Sequence, residues 1–198
     1  MKENRKEIWD SLPSENRSLL LERTMCVYNR YFEANHVVDE LKKQKIDFSK
    51  IKALDFGCAC GDYGITLARS GATSDYHDVE EAAMDLAAYR CSLENLPHKK
   101  VVDYSMSDYN LVIFGEVLEH IDDPLELLQK CKDANVNWIL TSSYPYRSDD
   151  PEESYWKKEG HTEAARLAQI PCRALLESNY NYIRFDGQLR LWTKRASI

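Results

Sequence analysis

The chain has no long hydrophobic run and few of the residues that mark secreted or fibrous proteins. No stretch approaches the roughly 20 apolar residues that a membrane-spanning helix needs. The first ten residues, MKENRKEIWD, are too polar for a secretory signal. The six cysteines include no CxxC pair and show no regular spacing. The sequence therefore predicts a cytoplasmic protein with reduced thiols and no membrane partner.

Basic residues are in the minority. Lys and Arg number 26 against 33 Asp and Glu, which gives a formal net charge of −7. Proteins that grip a nucleic-acid backbone usually do so with Lys and Arg, so this balance disfavours a nucleic-acid partner. Four basic residues near the C-terminus could form a local basic patch, or they could simply belong to a solvated surface on the final strands. They are Arg184, Arg190, Lys194 and Arg195.

The composition is that of a globular protein, with 43% hydrophobic and 30% charged residues. A chain of 198 residues is long enough for one domain with a substantial core and short for two. Apolar residues recur at helical spacing between residues 16 and 45. We predict a single domain over residues 1–198, in which residues 1–48 form a helical lid and residues 49–198 form a core.

Short apolar runs alternate with helix-like segments from residue 51 onward. The predicted strands cover residues 51–56, 73–79, 99–104, 111–114 and 138–141, and the predicted helices cover residues 65–69, residues 80–93 and a segment from residue 124. Such alternation predicts an α/β fold with a doubly wound, mostly parallel, Rossmann-like sheet. Two further runs flank Asp186-Gly187, a strong hairpin signal, so a seven-stranded sheet should end with an antiparallel C-terminal strand.

The segment after the first predicted strand has the residues expected of a ligand-binding turn. It reads LDFGCACGDYG over residues 54–64. Gly57 and Gly61 would let the backbone turn sharply and approach a ligand, although a tight turn alone would also use them. About twenty residues later the second strand ends at Asp78, which could accept hydrogen bonds from both ribose hydroxyls of a nucleoside or cap the next helix.

Two nucleoside ligands are compatible with this layout. A dinucleotide such as NAD would place its pyrophosphate over the glycine turn, where Asp55 and Asp62 would repel it. The sequence also has no G-x-G-x-x-G. S-adenosylmethionine has no phosphate and carries an ammonium and a sulfonium group. The electrostatics therefore favour S-adenosylmethionine.

Three segments together resemble a known family. Residues 53–64 resemble the first motif of class I S-adenosylmethionine-dependent methyltransferases, written D-x-G-C-G-x-G, and residues 76–87 resemble the second. Residues 109–124, YNLVIFGEVLEHIDDP, are similar to the fourth-strand segment of small methyltransferases that modify quinones and other metabolites. The resemblance covers residues 50–145. Ala59 stands where the family has its middle glycine.

The resemblance implies that the protein binds S-adenosylmethionine and methylates a small molecule at oxygen or nitrogen. It places the methionine end of the cofactor at the first motif, the ribose at the second and the adenine after the third strand. The implied cofactor-binding residues are Asp55, Gly57, Cys58, Gly61, Asp78, Val79 and Asp103.

The implied catalytic residues lie in the third motif. Glu116 would face the methyl group, and His120 is a candidate base for an oxygen acceptor, although it could equally fix the turn by hydrogen bonds. With Glu119 these residues form Glu-x-x-Glu-His, which resembles the metal site of small-RNA 2′-O-methyltransferases. Only two carboxylates are available locally and His161 is distant, so we predict that no metal is required. The rival functions are RNA-terminal 2′-O-methylation with a divalent metal, and cofactor binding without catalysis.

An acidic and aromatic segment follows the fifth predicted strand, at residues 144–156. Loops at this end of a parallel sheet commonly carry specificity. We expect this segment to form a wall of the acceptor site together with the N-terminal helices.

Overall fold

The computed structural model describes residues 33–142, 162–185 and 189–196. The chain divides into two units, Met1–Val102 and Asp103–Ile198. Several sequence predictions lie outside the described residues: most of the proposed lid, the acidic and aromatic segment, His161, and the Asp186-Gly187 turn.

The first unit alternates helices and parallel strands. Its elements are α1 (residues 33–43), β1 (Lys52–Phe56), α2 (Asp62–Arg69), β2 (Thr73–His77), α3 (Glu81–Leu93) and β3 (His98–Lys100). Strand β2 pairs in parallel with β1 on one side and with β3 on the other. The register sets Asp55 opposite Tyr76. This arrangement brings the carboxyl ends of β1 and β2 to the same edge.

The second unit begins with parallel strands and ends in an antiparallel pair. Its elements are β4 (Leu111–Phe114), α4 (Pro124–Asp133), β5 (Trp138–Thr141), α5 (Glu163–Asn179), β6 (Tyr180–Arg184) and β7 (Arg190–Lys194). Strand β5 pairs in parallel with β4 and antiparallel with β7, which pairs antiparallel with β6. A single 3-10 turn, Leu118–His120, lies between β4 and α4.

The seven strands run in the order β3-β2-β1-β4-β5-β7-β6. The sequence prediction of a seven-stranded, mostly parallel sheet that ends antiparallel is therefore confirmed. The core strands are apolar and deeply buried, and the four residues of β4 have 0% exposure. Burial on both faces explains why β4 reads as a continuous apolar run rather than an alternating one.

Two strands, β4 and β5, have the bounds that the sequence predicts, and α3 begins one residue later than predicted. Helix α5 was not predicted from the sequence. It contains Pro171, and proline normally ends a helix because it lacks the backbone donor. Its buried positions nevertheless follow helical spacing: Ala165, Gln169, Cys172 and Leu176. Tertiary packing of this face outweighs the single proline.

The described part of the chain contains no helix both long and apolar enough to cross a membrane. Cys58, Cys60, Cys91, Cys131 and Cys172 are buried free thiols. Burial raises the pKa of the Cys131 thiol to about 12. These thiols are core side chains, as the lack of a CxxC pair indicated.

Candidate active site

The loop between β1 and α2 bends through three left-handed residues. The φ angles are 66° at Gly57, 47° at Ala59 and 75° at Gly61. Glycine adopts such angles at little cost, whereas alanine does not. The loop therefore holds a strained conformation at the position where the related motif has its middle glycine.

Hydrogen bonds from the end of β2 hold this loop. The carbonyl oxygen of His77 accepts from the backbone N–H of Gly57 at 2.8 Å and of Cys58 at 3.0 Å. The next N–H, that of Ala59, donates to Oδ2 of Asp78 at 2.9 Å. Three consecutive amides of the loop are thus bonded to two consecutive residues of β2 and its end. The predicted residues of the first two motifs do come together.

Asp55 is buried, with 2% exposure, at the end of β1. Its Oδ2 accepts from the backbone N–H of Gly64 at 2.9 Å, in the first turn of α2. Amides in the first turn of a helix have no partner within the helix, and a carboxylate is favoured there by the helix dipole. Asp55 therefore joins the strand to the helix and places negative charge beneath the loop.

Gly61 and Gly64 are required by packing against Tyr76 and α3, which the sequence analysis did not foresee. A Cβ on Gly61 would lie 2.8 Å from the Cβ of Ala87, and a Cβ on Gly64 would lie 2.5 Å from Cε1 of Tyr76. Tyr76 is fully buried, and its hydroxyl accepts from the Cys91 thiol at 3.2 Å. The close approach at Gly61 is therefore between protein segments, in addition to any approach to a ligand.

The carboxylate of Asp78 accepts hydrogen bonds from two backbone amides. Oδ2 accepts from Ala59, and Oδ1 accepts from the backbone N–H of Glu80 at 3.0 Å, next to the start of α3. The N-cap of α3 is Glu80, and no side chain caps this helix, so Asp78 is not a helix cap. Each carboxylate oxygen of Asp78 can accept a second hydrogen bond, which leaves capacity for a ribose. The adjacent Val79 is 95% exposed, although it is apolar. Asp103, in the second unit, is also exposed.

Negative charge dominates the electrostatics of the loop. Burial raises the pKa of the Cys58 thiol, and the carboxylates of Asp55 and Asp78 raise it further. These carboxylates disfavour a second negative charge at this place. They would favour a cation, as the sequence analysis inferred for a sulfonium ligand.

Glu116 lies just beyond the end of β4, in the second unit. Its φ is 57°, and its Oε1 accepts from the hydroxyl of Ser142, beyond the end of β5, at 2.7 Å. Ser142 was not among the predicted site residues. The register of the parallel pair β4–β5 aligns Phe114 with Thr141, which brings the following residues near each other. Strand pairing is the signal that could have identified Ser142.

The side chains of the Glu-x-x-Glu-His segment differ in their exposure. Glu119 is buried with 0% exposure, whereas the side chain of His120, one residue later, is exposed. The described residues contain no group of three or more His, Cys, Asp or Glu side chains with metal-binding geometry. The helical spacing of Glu116, Glu119 and His120 would bring them to one face of a regular helix, but the 3-10 turn covers only three residues.

Left-handed backbone outside helix ends occurs at two non-glycine positions among the described residues. In all, five non-glycine residues of the described chain have positive φ: Lys45, Ala59, Asn95, Glu116 and Asn135. The first, third and fifth directly follow helices, where a left-handed residue commonly closes the last turn. Ala59 and Glu116 instead lie after β1 and β4. Strain of this kind clusters at functional sites.

Comparison with known proteins gives the same family as the sequence motifs. A family profile described as a methyltransferase domain matches residues 28–185. The ribosomal protein L11 methyltransferase of Campylobacter jejuni is 32% identical over 82 residues, which are 39% of this chain and 29% of that protein. The ubiquinone biosynthesis O-methyltransferase of Acinetobacter baylyi is 25% identical over 114 residues, 51% of this chain and 48% of that protein. The chain thus spans less than half the length of either relative.

Solved structures share the fold. The magnesium protoporphyrin IX methyltransferase of Synechocystis, crystallised with bound SAH, superposes with a TM-score of 0.59 and 18% identity. The match covers 82% of this chain and 81% of that one. The family profile extends over most of the sequence, and the chain belongs to the class I S-adenosylmethionine-dependent methyltransferases.

Proposed function

We propose that this protein transfers the methyl group of S-adenosylmethionine to an oxygen or nitrogen of a small molecule. The observation that carries the proposal is the β1–α2 loop, which is strained, bonded amide by amide, and bordered by Asp55 and Asp78. A loop that is already ordered in this way binds a ligand without the entropy cost of ordering the loop on binding.

The residues of the first unit fit this cofactor. Its ammonium and sulfonium groups are cations, and the loop carries the negative charge that raises the pKa of the Cys58 thiol. Asp78 retains acceptor capacity for ribose hydroxyls, and the exposed side chain of Val79 offers apolar surface to a base. When bound, the cofactor would supply an electrophilic methyl group. Gly57, Cys58, Gly61 and Asp103 complete the proposed cofactor-binding set.

The second unit supplies the proposed acceptor chemistry. Methyl transfer is a displacement whose rate depends on holding the acceptor atom in line with the methyl group. Glu116, fixed by the Ser142 hydroxyl, would orient the acceptor. An oxygen acceptor must lose a proton, and the exposed imidazole of His120 can take it as a general base. An unprotonated amine would not need this step.

The proposed acceptor is a small molecule and not RNA, and the proposed reaction needs no metal. The net charge of −7 is unfavourable for a protein that must hold RNA. Glu119 is buried with 0% exposure while His120 is exposed, so the segment does not present both side chains to solvent.

The direct test is methyl transfer from labelled S-adenosylmethionine to separate pools of metabolites and small RNA, with and without EDTA. We expect EDTA-resistant label in the metabolite pool. Label in RNA that EDTA abolishes and Mn²⁺ restores would establish the RNA-terminal alternative. Cofactor binding with no transfer to either pool would favour a non-catalytic binding module.

A further inference from the structure

Arg90 lies on α3 and contacts the β1–α2 loop from a distance of about thirty residues along the chain. Its Nη1 donates to the backbone carbonyl oxygen of Cys60 and, at 2.7 Å, to Oδ1 of Asp62. None of the three sequence motifs included Arg90, and no short-range pattern links it to the loop. Its guanidinium group nevertheless donates a hydrogen bond to the loop just before α2 begins.

The loop needs such support because its conformation is strained. Ala59 has a φ of 47°, and a non-glycine residue stays in this region only when its surroundings enforce it. On one side of Ala59, the N–H groups of residues 57–59 are bonded to His77 and Asp78. On the other side, Arg90 holds the carbonyl oxygen of Cys60. The strained residue is thus fixed on both sides.

Arg90 also balances the charge of the loop. Asp62 begins α2, and its side chain is only 2% exposed, compared with 21% for the side chain of Arg90. A buried carboxylate left without its cation is strongly unfavourable. Because Arg90 neutralises Asp62, the carboxylates of Asp55 and Asp78 remain as the negative charges that would face a cationic ligand.

We propose that Arg90 is a positioning residue for the cofactor: it fixes the carbonyl of Cys60 and the start of α2, and thereby sets the loop geometry that binds S-adenosylmethionine. This role rests on the proposed function. The cofactor-binding loop is then shaped by α3 as well as by its own glycines. Arg90 acts through the loop and does not itself need to touch the ligand.

The informative variant is Arg90→Lys. Truncation of Arg90 to alanine would leave Asp62 buried without a cation and could prevent folding. Lysine keeps the charge but replaces the planar guanidinium fork by a single ammonium. The matched control is Arg69→Lys. Arg69, the last residue of α2, pairs with Glu94, just beyond α3, and its Nε donates at 2.7 Å to Oε2 of that residue, away from the β1–α2 loop.

The measurement is calorimetric titration of each full-length variant with S-adenosylhomocysteine. We expect about a ten-fold weaker Kd for Arg90→Lys with unchanged stoichiometry, the scale of one charge-assisted hydrogen bond, and less than about a two-fold change for Arg69→Lys. Stoichiometry reports the folded fraction, so a purely structural role would lower it and leave Kd unchanged. The backbone amide resonances of residues 57–61 should shift in Arg90→Lys and stay in place in Arg69→Lys.

Three outcomes would overturn the role of Arg90: equal affinities of the Arg90→Lys and wild-type proteins, equal losses in both variants, or a loss of stoichiometry alone. Failure of the wild-type protein to bind S-adenosylhomocysteine is a different result. It would contradict the proposed function itself, and the role of Arg90 with it.

Discussion

The loops that follow β1 and β4 differ in how their polar groups are used. After β1, the amides of residues 57–59 and the carbonyl of Cys60 all have partners inside the first unit, and residues 58–61 are buried. After β4, Glu116 is half-buried and His120 is exposed. The first loop is built to one fixed shape. The second buries Glu119 but leaves Glu116 partly exposed and His120 exposed, as a site for a variable acceptor would require.

Both loops contain a left-handed non-glycine residue, but the support differs. Ala59 is held through its backbone N–H by the carboxylate of Asp78. Glu116 is held through its own carboxylate by the hydroxyl of Ser142. Substitutions at these positions should therefore separate cofactor binding in the first loop from methyl transfer in the second.

The largest expected effect on folding is at Gly64. Alanine there would set a Cβ 2.5 Å from the ring of the fully buried Tyr76. Overpacking of this kind should lower the free energy of unfolding by close to 3 kcal/mol, which urea denaturation would measure. Gly71→Ala is the control: its φ of 103° is strained, yet its Cβ would lie 3.8 Å from the nearest atom. Gly64 has no positive φ, so a loss no larger than that of Gly71→Ala would contradict packing against Tyr76 as the reason for this glycine.

A smaller and two-part effect is expected at Asp78. Asp78→Ala should weaken binding of S-adenosylmethionine by about 1–3 kcal/mol and also lower the stability of the ligand-free protein, because the amides of Ala59 and Glu80 lose their acceptor. Asp123→Ala provides the comparison, since Asp123 caps α4 by accepting from Glu126 at 2.8 Å.

That control should lose about 1 kcal/mol of stability and no cofactor affinity. Titration calorimetry and thermal melts together distinguish the two residues. Retained affinity in Asp78→Ala would limit Asp78 to a structural role, as the acceptor for the amides of Ala59 and Glu80.

The effect at Glu116 should appear in turnover rather than in folding. Glu116→Gln keeps the left-handed backbone and an oxygen for the Ser142 hydroxyl, so stability should change by less than about 0.5 kcal/mol. Loss of the negative charge should lower kcat about ten-fold, the scale of one hydrogen bond to a charged group. The exposed Glu126, paired with Lys130 at 2.9 Å, offers the control Glu126→Gln. Unchanged kcat in Glu116→Gln would remove this residue from the acceptor chemistry.

The smallest effect is expected from Ala59→Gly. Glycine would relieve the left-handed strain of about 1–2 kcal/mol but would increase the freedom of the unfolded chain, so the net gain in stability should be about 0.5 kcal/mol. A loss of stability on denaturation would mean that the methyl group of Ala59, which is 7% exposed, packs more favourably than its backbone is strained.

Local patterns predicted the elements whose surroundings are simplest. Strands β4 and β5 are short apolar runs buried in the sheet, and their bounds agree with the prediction. Asp123 and Pro124 similarly predicted the start of α4. Helix α5 was missed because Pro171 weakens the local signal, whereas the buried face that stabilises the helix is a tertiary property.

The site was predictable as a set of motifs and not as a set of contacts. Asp55 and Asp78 could be found from strand ends and spacing, because the ends of adjacent parallel strands meet. The clash that makes Gly64 necessary depends on the ring of Tyr76, which lies on strand β2 and not on the helix of Gly64. Arg90 and Ser142 reach the two loops across the fold, 30 and 26 residues from Cys60 and Glu116, so no local pattern reports them.

Ligand-dependent stabilisation of the wild-type protein tests the nature of the β1–α2 loop most directly. A ligand that binds only the folded state stabilises it by about 2.7 kcal/mol at a concentration of 100 times Kd. S-adenosylmethionine and S-adenosylhomocysteine should therefore raise the Tm, and NAD at the same concentrations should leave it unchanged. A shift with NAD and none with the methyl donor or its product would contradict the assignment of the loop to S-adenosylmethionine.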